Sequence, residues 1–313
     1  MCCLFGLIDY GSRFTGKQKS KLLSVLSSEC EIRGTDATGI AYNYAGHLSI
    51  FKRPMPAHRL KLRIPNDCSV VMGHTRMTTQ GSEKKNQNNH PFRSQDSDCE
   101  FALAHNGVLY NDRILRAERN LPQTHIETDS YVAVQMIEQQ GALNFDSLKY
   151  MAEQVEGTFV FTVLDESDNL YFVKGDNPLC LYHYPEAGFY LYTSTEEILK
   201  KAMRRLGLPK ERPIRITLAE GDILRIDATG EISTANFAVK QSEYAVWGMD
   251  WRRFCYPYCS DASVHVLQQS DYVQDLKAVA NAFGYSPEDV DELLDTGFTL
   301  DEVEELLCCG GEL

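Results

Sequence analysis

The chain opens Met1-Cys2-Cys3-Leu4-Phe5-Gly6, and this start constrains the fold more than any other stretch. Cys2 to Asp9 reads as a short buried strand beginning almost at the first residue. If Met1 is trimmed, as the small Cys side chain favours, residue one carries a thiol and a free α-amino group together. The reference pKa is roughly 7.7–8.0 for that amine and about 8.5 for the thiol. Such a residue is a nucleophile with a built-in general base near neutral pH. The plainer alternative is a small hydrophobic Cys that starts a core strand. The opening alone leaves both readings standing.

The pattern that follows places this strand in a layered fold. Gly16–Cys30 predicts an amphipathic helix, with Leu22, Leu23, Val25 and Leu26 as its apolar residues. Strand-like runs follow at 38–44, 47–52, 68–74 and 100–105, then helical patterns at 112–119, 128–140 and 144–154. Four more strand-like runs lie at 157–164, 170–174, 179–184 and 189–193, before a helix at 195–206 and a strand at 221–226. Strands, then helices, then strands predict two sheets with helices outside them. That layering buries the Cys2 strand centrally and leaves its end at a cleft.

The 313 residues suffice for one large domain or two smaller ones. No stretch approaches the ~18 uninterrupted apolar residues of a membrane span, and the start lacks the basic-then-apolar pattern of a signal peptide. A net charge of −13 argues against a general nucleic-acid binder. The ten cysteines are scattered and read as reduced cytosolic thiols, so a cytoplasmic protein is expected. Cys255 and Cys259 with Cys308 and Cys309 fit no common zinc spacing, so neither metal nor cofactor is expected.

Composition shifts near residue 240. The two tryptophans, Trp247 and Trp251, sit in an aromatic and Cys-rich stretch, 241–263, that reads as a linker or strap. Residues 264–313 read as a small acidic helical module. Asp271–Phe283 is its first helical pattern, Ser286-Pro287 starts a second, and Thr299-Leu-Asp-Glu302 is a capping box for a third. From Ser286 onward there are ten acidic residues and no Lys or Arg. Such a module either docks on a basic partner surface or is a solvated acidic end.

Four segments carry the candidate chemistry: Arg33-Gly34-Thr35-Asp36-Ala37-Thr38-Gly39; Gly73-His74-Thr75-Arg76-Met77-Thr78-Thr79-Gln80-Gly81, running on to Asn89-His90-Pro91; His105-Asn106-Gly107; and Glu127-Thr128-Asp129. Each has a structural reading by itself. Asn106-Gly107 is the commonest hairpin-turn dipeptide, Asp129 suits a helix N-cap, and His74, His90 and His105 lack metal-ligand spacing.

In this order the segments resemble the glutaminase domain of class II glutamine amidotransferases, which are N-terminal-cysteine hydrolases. The resemblance covers residues 2–240. It implies an α+β fold, the four-layer αββα Ntn-hydrolase sandwich, followed here by a small C-terminal helical appendix. It implies that Cys2 attacks the side-chain amide of glutamine, that Asn106 and Gly107 form the oxyanion hole, and that Arg76 clamps the α-carboxylate. Asp129 then pairs with the α-ammonium, backbone near Thr79 and Gln80 completes the pocket, and Arg33, Asp36, His74 and His90 support it. Cys3 stands where the family usually has Gly, and Met77 where some members have an aromatic residue.

Family members usually fuse this domain to an ammonia-consuming synthase. Residues 241–313 show no phosphate-binding Gly-rich loop, so a stand-alone domain is expected, passing ammonia to a separate synthase docked through the acidic helices. Two alternatives stay open: a hydrolase of another γ-glutamyl amide, and a non-enzymatic glutamine sensor or scaffold acting through the tail.

Overall fold

In the computed structural model the strands run, in chain order, β1 (Cys3–Ile8), β2 (Ala37–Tyr44), β3 (His47–Arg53), β4 (Val70–Arg76), β5 (Phe92–Arg93), β6 (Phe101–Leu109), β7 (Gly157–Asp165), β8 (Leu170–Lys174), β9 (Cys180–Tyr184), β10 (Phe189–Thr193), β11 (Ile214–Ile216), β12 (Asp222–Ile226) and β13 (Ile232–Asn236). The helices are α1 (Gly16–Cys30), α2 (Asp112–Glu118), α3 (Tyr131–Glu138), α4 (Phe145–Gln154), α5 (Glu196–Leu206) and α6 (Pro287–Asp295). The described residues are 2–95, 100–207, 213–239, 277 and 286–296. The chain divides into two units, Met1–Glu243 and Tyr244–Leu313.

The first unit holds two antiparallel sheets. One has seven strands in the order β11-β9-β10-β1-β4-β2-β3, and the other six in the order β13-β12-β8-β7-β6-β5. Every residue of β1 is buried, and the strand lies mid-sheet between β10 and β4. Its alternation sends Cys3, Phe5 and Leu7 to one face and Leu4 and Ile8 to the other.

Three apolar layers result. Cys3, Phe5, Leu7 and Ile40 pack against Leu22, Leu23 and Leu26 of α1 and Leu199 and Ala202 of α5. Leu4, Ile8 and Met72 meet Ala104, Val160, Phe172 and Leu224 between the sheets. Leu103, Phe161 and Val173 pack under Val132, Ile137, Leu148 and Met151 of α3 and α4. Each Leu, Ile, Val, Phe or Met among them contributes about 1.5–3 kcal/mol by leaving water. The layers are therefore helix, sheet, sheet, helix, the αββα sandwich implied by the sequence.

Local chemistry sets the boundaries. Helix α1 starts at Gly16 because the Thr15 hydroxyl accepts from the Gln18 N–H while the Gln18 side chain reaches back to the Thr15 N–H. Two of the local structural alternatives do not hold. Asn106-Gly107 is not a turn: both residues lie inside β6, paired with Val160 and Phe159. Asp129 does not cap a helix, since α3 begins at Tyr131 and the Asp129 carboxylate accepts from the Leu109 N–H of β6 at 2.6 Å.

In the second unit, Ser286 caps α6 and forms a capping box with Asp289. The expected 271–283 helix (apart from Lys277, which is helical), the Thr299 capping box, the 241–263 strap and Cys255, Cys259, Cys308 and Cys309 lie outside the described residues. Among the described residues no helix is long and apolar enough to cross a membrane.

Candidate active site

The site forms where β1 begins. Cys2 precedes the strand's first paired residue and is 9% exposed. Its carbonyl accepts from the Arg33 Nε at 2.9 Å, and its thiol faces the Met77 carbonyl at 3.5 Å. Burial pushes the Cys2 thiol pKa up, with a hydrogen bond from the Met77 backbone and the Arg76 guanidinium pulling it back down. A thiol kept protonated by its surroundings needs a base to become a nucleophile.

Arg76 ends β4 and is buried. Its Nη1 donates to Asn89 Oδ1 at 2.7 Å, and its Nη2 donates to the carbonyls of Gln80 and Gly81 at 2.6 and 3.0 Å. Asp36 receives the Thr78 N–H at 2.7 Å, while its own N–H donates to the Arg76 carbonyl at 3.0 Å. Arg33 thus holds the backbone of Cys2, and Asp36 holds both sides of the turn after Arg76.

On the facing sheet, Gly107 has φ +147°, and a Cβ there would lie 1.8 Å from the Thr158 carbonyl oxygen. Only glycine fits this close approach. Asn106 is fully buried; its carbonyl accepts from Asn177 Nδ2 at 2.9 Å and its Nδ2 donates to Ser194 Oγ at 3.4 Å. The same Ser194 hydroxyl accepts from the Leu4 N–H at 2.9 Å. Ser194 therefore ties the strand carrying Cys2 to the strand carrying Asn106. Neither Ser194 nor Asn177 was expected from the sequence. Ser194 stands there just before the 195–206 helical pattern, and Asn177 between the 170–174 and 179–184 strand-like runs.

A cavity of about 10 Å³ lies among these elements, lined by Cys2, Arg76, Met77, Thr79, Gln80, His90, His105, Gly107, Thr128, Asp129 and Ser130. The structure thus gathers Cys2, Arg76, Thr79, Gln80, Gly107, Asp129 and His90 around one space. Asn106, Arg33, Asp36 and His74 are not in its lining. Asp129 is 3% exposed and fixed by the Leu109 N–H and the Ser130 hydroxyl.

Three buried histidines stand beside the cavity. His74 Nε2 donates to the His105 carbonyl at 3.0 Å, and its ring lies 4.3 Å from that of His90. His105 bonds Ser130 Oγ at 2.8 Å and stacks on Phe161. Burial drives the His74 pKa down to about 3 and those of His90 and His105 below the ordinary value, so all three are neutral near pH 7. Lys52, donating to the carbonyls of Asn89 and Pro91, is lowered to about 8 by burial and the nearby Arg76.

The fold and the cavity define a class: an αββα sandwich with a cysteine at the head of its central strand, the Ntn-hydrolase arrangement. Comparison with known proteins narrows it. A family model described as a glutamine amidotransferase domain matches residues 63–211. Glutamine–fructose-6-phosphate aminotransferase [isomerizing] of Staphylococcus aureus (strain Mu50) is 32% identical over 190 residues, covering 58% of this chain and 30% of that protein. Its Staphylococcus epidermidis counterpart is 31% identical over 188 residues, with 57% and 30% covered.

Two solved structures share the fold. The glutamine phosphoribosylpyrophosphate (PRPP) amidotransferase from B. subtilis, complexed with ADP and GMP, aligns with TM-score 0.58 and 19% identity over 76% of this chain and 50% of that one. A structure titled as the allosteric regulatory enzyme of purine biosynthesis aligns with TM-score 0.61 and 18% identity over 90% and 58%. Over residues 63–211 the chain is similar to glutamine amidotransferase domains, and its first unit shares their fold. It spans under a third of the length of the curated relatives it matches, 30% in each case.

Proposed function

We propose that this chain hydrolyses the side-chain amide of glutamine to glutamate and ammonia through a γ-glutamyl thioester on Cys2. The observation that carries the reading is the shared cavity: a thiol, a guanidinium, a carboxylate and a glycine in a tight backbone approach all line one space. The first is a nucleophile. The guanidinium and the carboxylate match the two charged groups of a free amino acid, which a peptide-bound glutamine lacks.

In this mechanism the Cys2 α-amine, freed by loss of Met1, takes the thiol proton as the sulfur attacks the amide carbon. Negative charge moves to the amide oxygen, toward the Asn106 side-chain amide and the Gly107 N–H. The tetrahedral intermediate collapses, the amine returns its proton to the leaving nitrogen, and ammonia departs. Water then attacks the thioester carbon, the C–S bond breaks and glutamate leaves.

Glutamine is too large for the cavity as it stands, so the surface segment from Met77 to Gly81 opens to admit it. Arg76 donates there to the carbonyls of Gln80 and Gly81. Opening exchanges those two acceptors for the substrate carboxylate, which receives the same fork of N–H groups. The ammonia passes to a separate synthase, which docks through the acidic C-terminal helices.

The test is intact mass after treatment with 6-diazo-5-oxo-norleucine, with glutamate and ammonia release measured alongside. Loss of Met1, one adduct mapped to Cys2 and stoichiometric release of both products are expected. A trimmed Cys2 that stays unlabelled and releases neither product overturns the reading. For the partner, deletion of residues 264–313 is expected to abolish complex formation and leave glutamine hydrolysis intact; unchanged complex formation refutes that role for the tail.

A further inference from the structure

The mechanism above assigns groups to the substrate's carboxylate, ammonium and oxyanion. It assigns none to the water that resolves the thioester. Two side chains on the cavity wall are left over.

His90 is 4% exposed, and neither Nδ1 nor Nε2 has a hydrogen-bond partner. The segment around it is otherwise saturated. Asn88 receives the Glu127 N–H at 2.9 Å and donates to Glu127 Oε2 and the Ser82 carbonyl. Asn89 receives Arg76 and donates to the Glu83 carbonyl and Asn86 Oδ1. Lys52 donates to the carbonyls on either side of His90, those of Asn89 and Pro91, at 2.5 and 3.0 Å. The His90 ring is held between those of His74 and Phe92, each 4.3 Å away. Gly39 lets this segment approach β2, since a Cβ there would sit 2.1 Å from the His90 carbonyl oxygen.

A segment so thoroughly bonded fixes the imidazole in place while leaving both its nitrogens free. Buried polar groups are ordinarily bonded, and those that are not call for an explanation. Thr128 is the second such case on the same wall: it is 2% exposed and its Oγ1 is also unpartnered. The cavity of about 10 Å³ between them has room for one water, which requires two or more polar partners.

We infer that His90 holds the water that hydrolyses the γ-glutamyl thioester, with the Thr128 hydroxyl as its second contact. The inference rests on the glutamine-hydrolase reading. An imidazole that stays neutral offers one donor and one acceptor, the complement of water, and no charge to draw the ionic ends of the substrate. Burial also makes it too weak a base to take the water's proton at neutral pH. The division of labour follows. Water oxygen attacks the thioester carbon, one proton passes to the Cys2 α-amine, and the other hydrogen stays on that oxygen, hydrogen-bonded to His90. The C–S bond breaks, the ammonium returns its proton to sulfur, and the new γ-carboxyl group leaves with glutamate and gives up its remaining proton to solvent.

The experiment compares two acceptors for one acyl-enzyme, using the full chain. His90→Phe keeps a planar ring between His74 and Phe92 and removes both nitrogens. Glutamate formation, γ-glutamyl hydroxamate formation with saturating hydroxylamine, and the γ-glutamyl adduct on Cys2 by quenched intact mass are measured together. Hydrolysis is expected to fall on the order of tenfold to a hundredfold. The hydroxamate rate stays within about twofold, because hydroxylamine needs no held water, and the adduct accumulates. His90→Gln, which retains a donor and an acceptor, recovers part of the hydrolysis. Parallel loss of hydrolysis and transfer in a folded His90→Phe protein overturns the inference, as does no change in either. If that variant does not fold, Thr128→Val carries the same partition test. Wild-type protein that makes neither glutamate nor hydroxamate refutes the glutamine reading itself, an outcome distinct from an unchanged partition in an active enzyme.

Discussion

β1 is six residues long, and its two ends are built on opposite rules. At the Ile8 end every buried charge is answered. Lys19 Nζ lies 3.1 Å from Asp9 Oδ2 and donates to the carbonyls of Asn66 and Cys68, while Asp9 receives the N–H groups of Arg13 and Phe14. At the Cys2 end, buried polar atoms of His90, Asn106, Thr128 and His74 stand without partners. A closed network specifies and stabilises a fold. Open polar groups in an equally buried place cost stability and keep their bonding capacity for a substrate. The difference separates the part of the strand that holds the sandwich together from the part proposed to carry the reaction.

The largest expected effects break this comparison from both ends. Cys2→Ala lowers glutamine hydrolysis by on the order of 10⁴-fold or more, because it removes the nucleophile, and leaves the melting temperature nearly unchanged. Asp9→Ala does the reverse. It strands the Lys19 ammonium in a site where it is 3% exposed, and losing one partner of such a pair costs about 3–5 kcal/mol. Urea unfolding is expected to show that loss, with kcat per folded molecule unchanged. A Cys2→Ala protein destabilised as severely as Asp9→Ala would erase the distinction.

Asn106→Ala sharpens it from the facing sheet. Its side chain is read as an oxyanion donor, so kcat falls roughly 10²–10³-fold while KM for glutamine stays close to the wild-type value. Equal losses in stability and rate would instead mean that the Ser194–Asn106 bond between the sheets is its main role.

How much of this was legible beforehand differs between the ends in the same way. The apolar run of β1 and the Thr15 cap of α1 carry their structure locally, and both elements fall where the sequence places them. β11 and β13 have no such signal. Their residues alternate between exposed and half-buried or are mostly exposed, so pairing with β9 and β12 rather than burial makes them strands. Asn106-Gly107 misleads because the dipeptide favours turns in isolation, whereas here the Thr158 carbonyl and the β7 pairing hold it extended. The cavity-lining Cys2, Arg76, Thr79, Gln80, Gly107 and Asp129 came from motif order. The unpartnered state of His90 and the Ser194 tie came from distances across the two sheets, which no local pattern encodes.

Acid sharpens the contrast next. His74 has its pKa pushed down to about 3 by burial, and His90 and His105 are lowered in the same direction. In the unfolded chain each titrates near ~6.5. Below that value the unfolded state binds protons that the folded state refuses, so stability is full above pH ~6.5 and is lost as pH falls toward 3. The melting temperature of the wild type is expected to decline from pH 6.5 to 4.5, before most carboxylates titrate. His74→Gln, which cannot take up that proton, should decline less steeply over the same range. Parallel curves would show that the histidines are not the acid-sensitive element.

The smallest effect tests the structural end alone. Thr15 caps α1, the helix that delivers Lys19 to Asp9, and it does so with a reciprocal bond to Gln18. Thr15→Ala removes the acceptor for the Gln18 N–H, and such a cap is worth about 1 kcal/mol. The shift should appear as a modest fall in the unfolding midpoint with the denaturant slope unchanged. Glutamine hydrolysis, the accumulation of acyl-enzyme and the hydroxamate ratio should not move, because no bond in the chain from Thr15 to Asp9 reaches the cavity. A change in any of those three would mean that strain at one end of β1 is felt at the other, and that the strand transmits what its two ends otherwise keep apart.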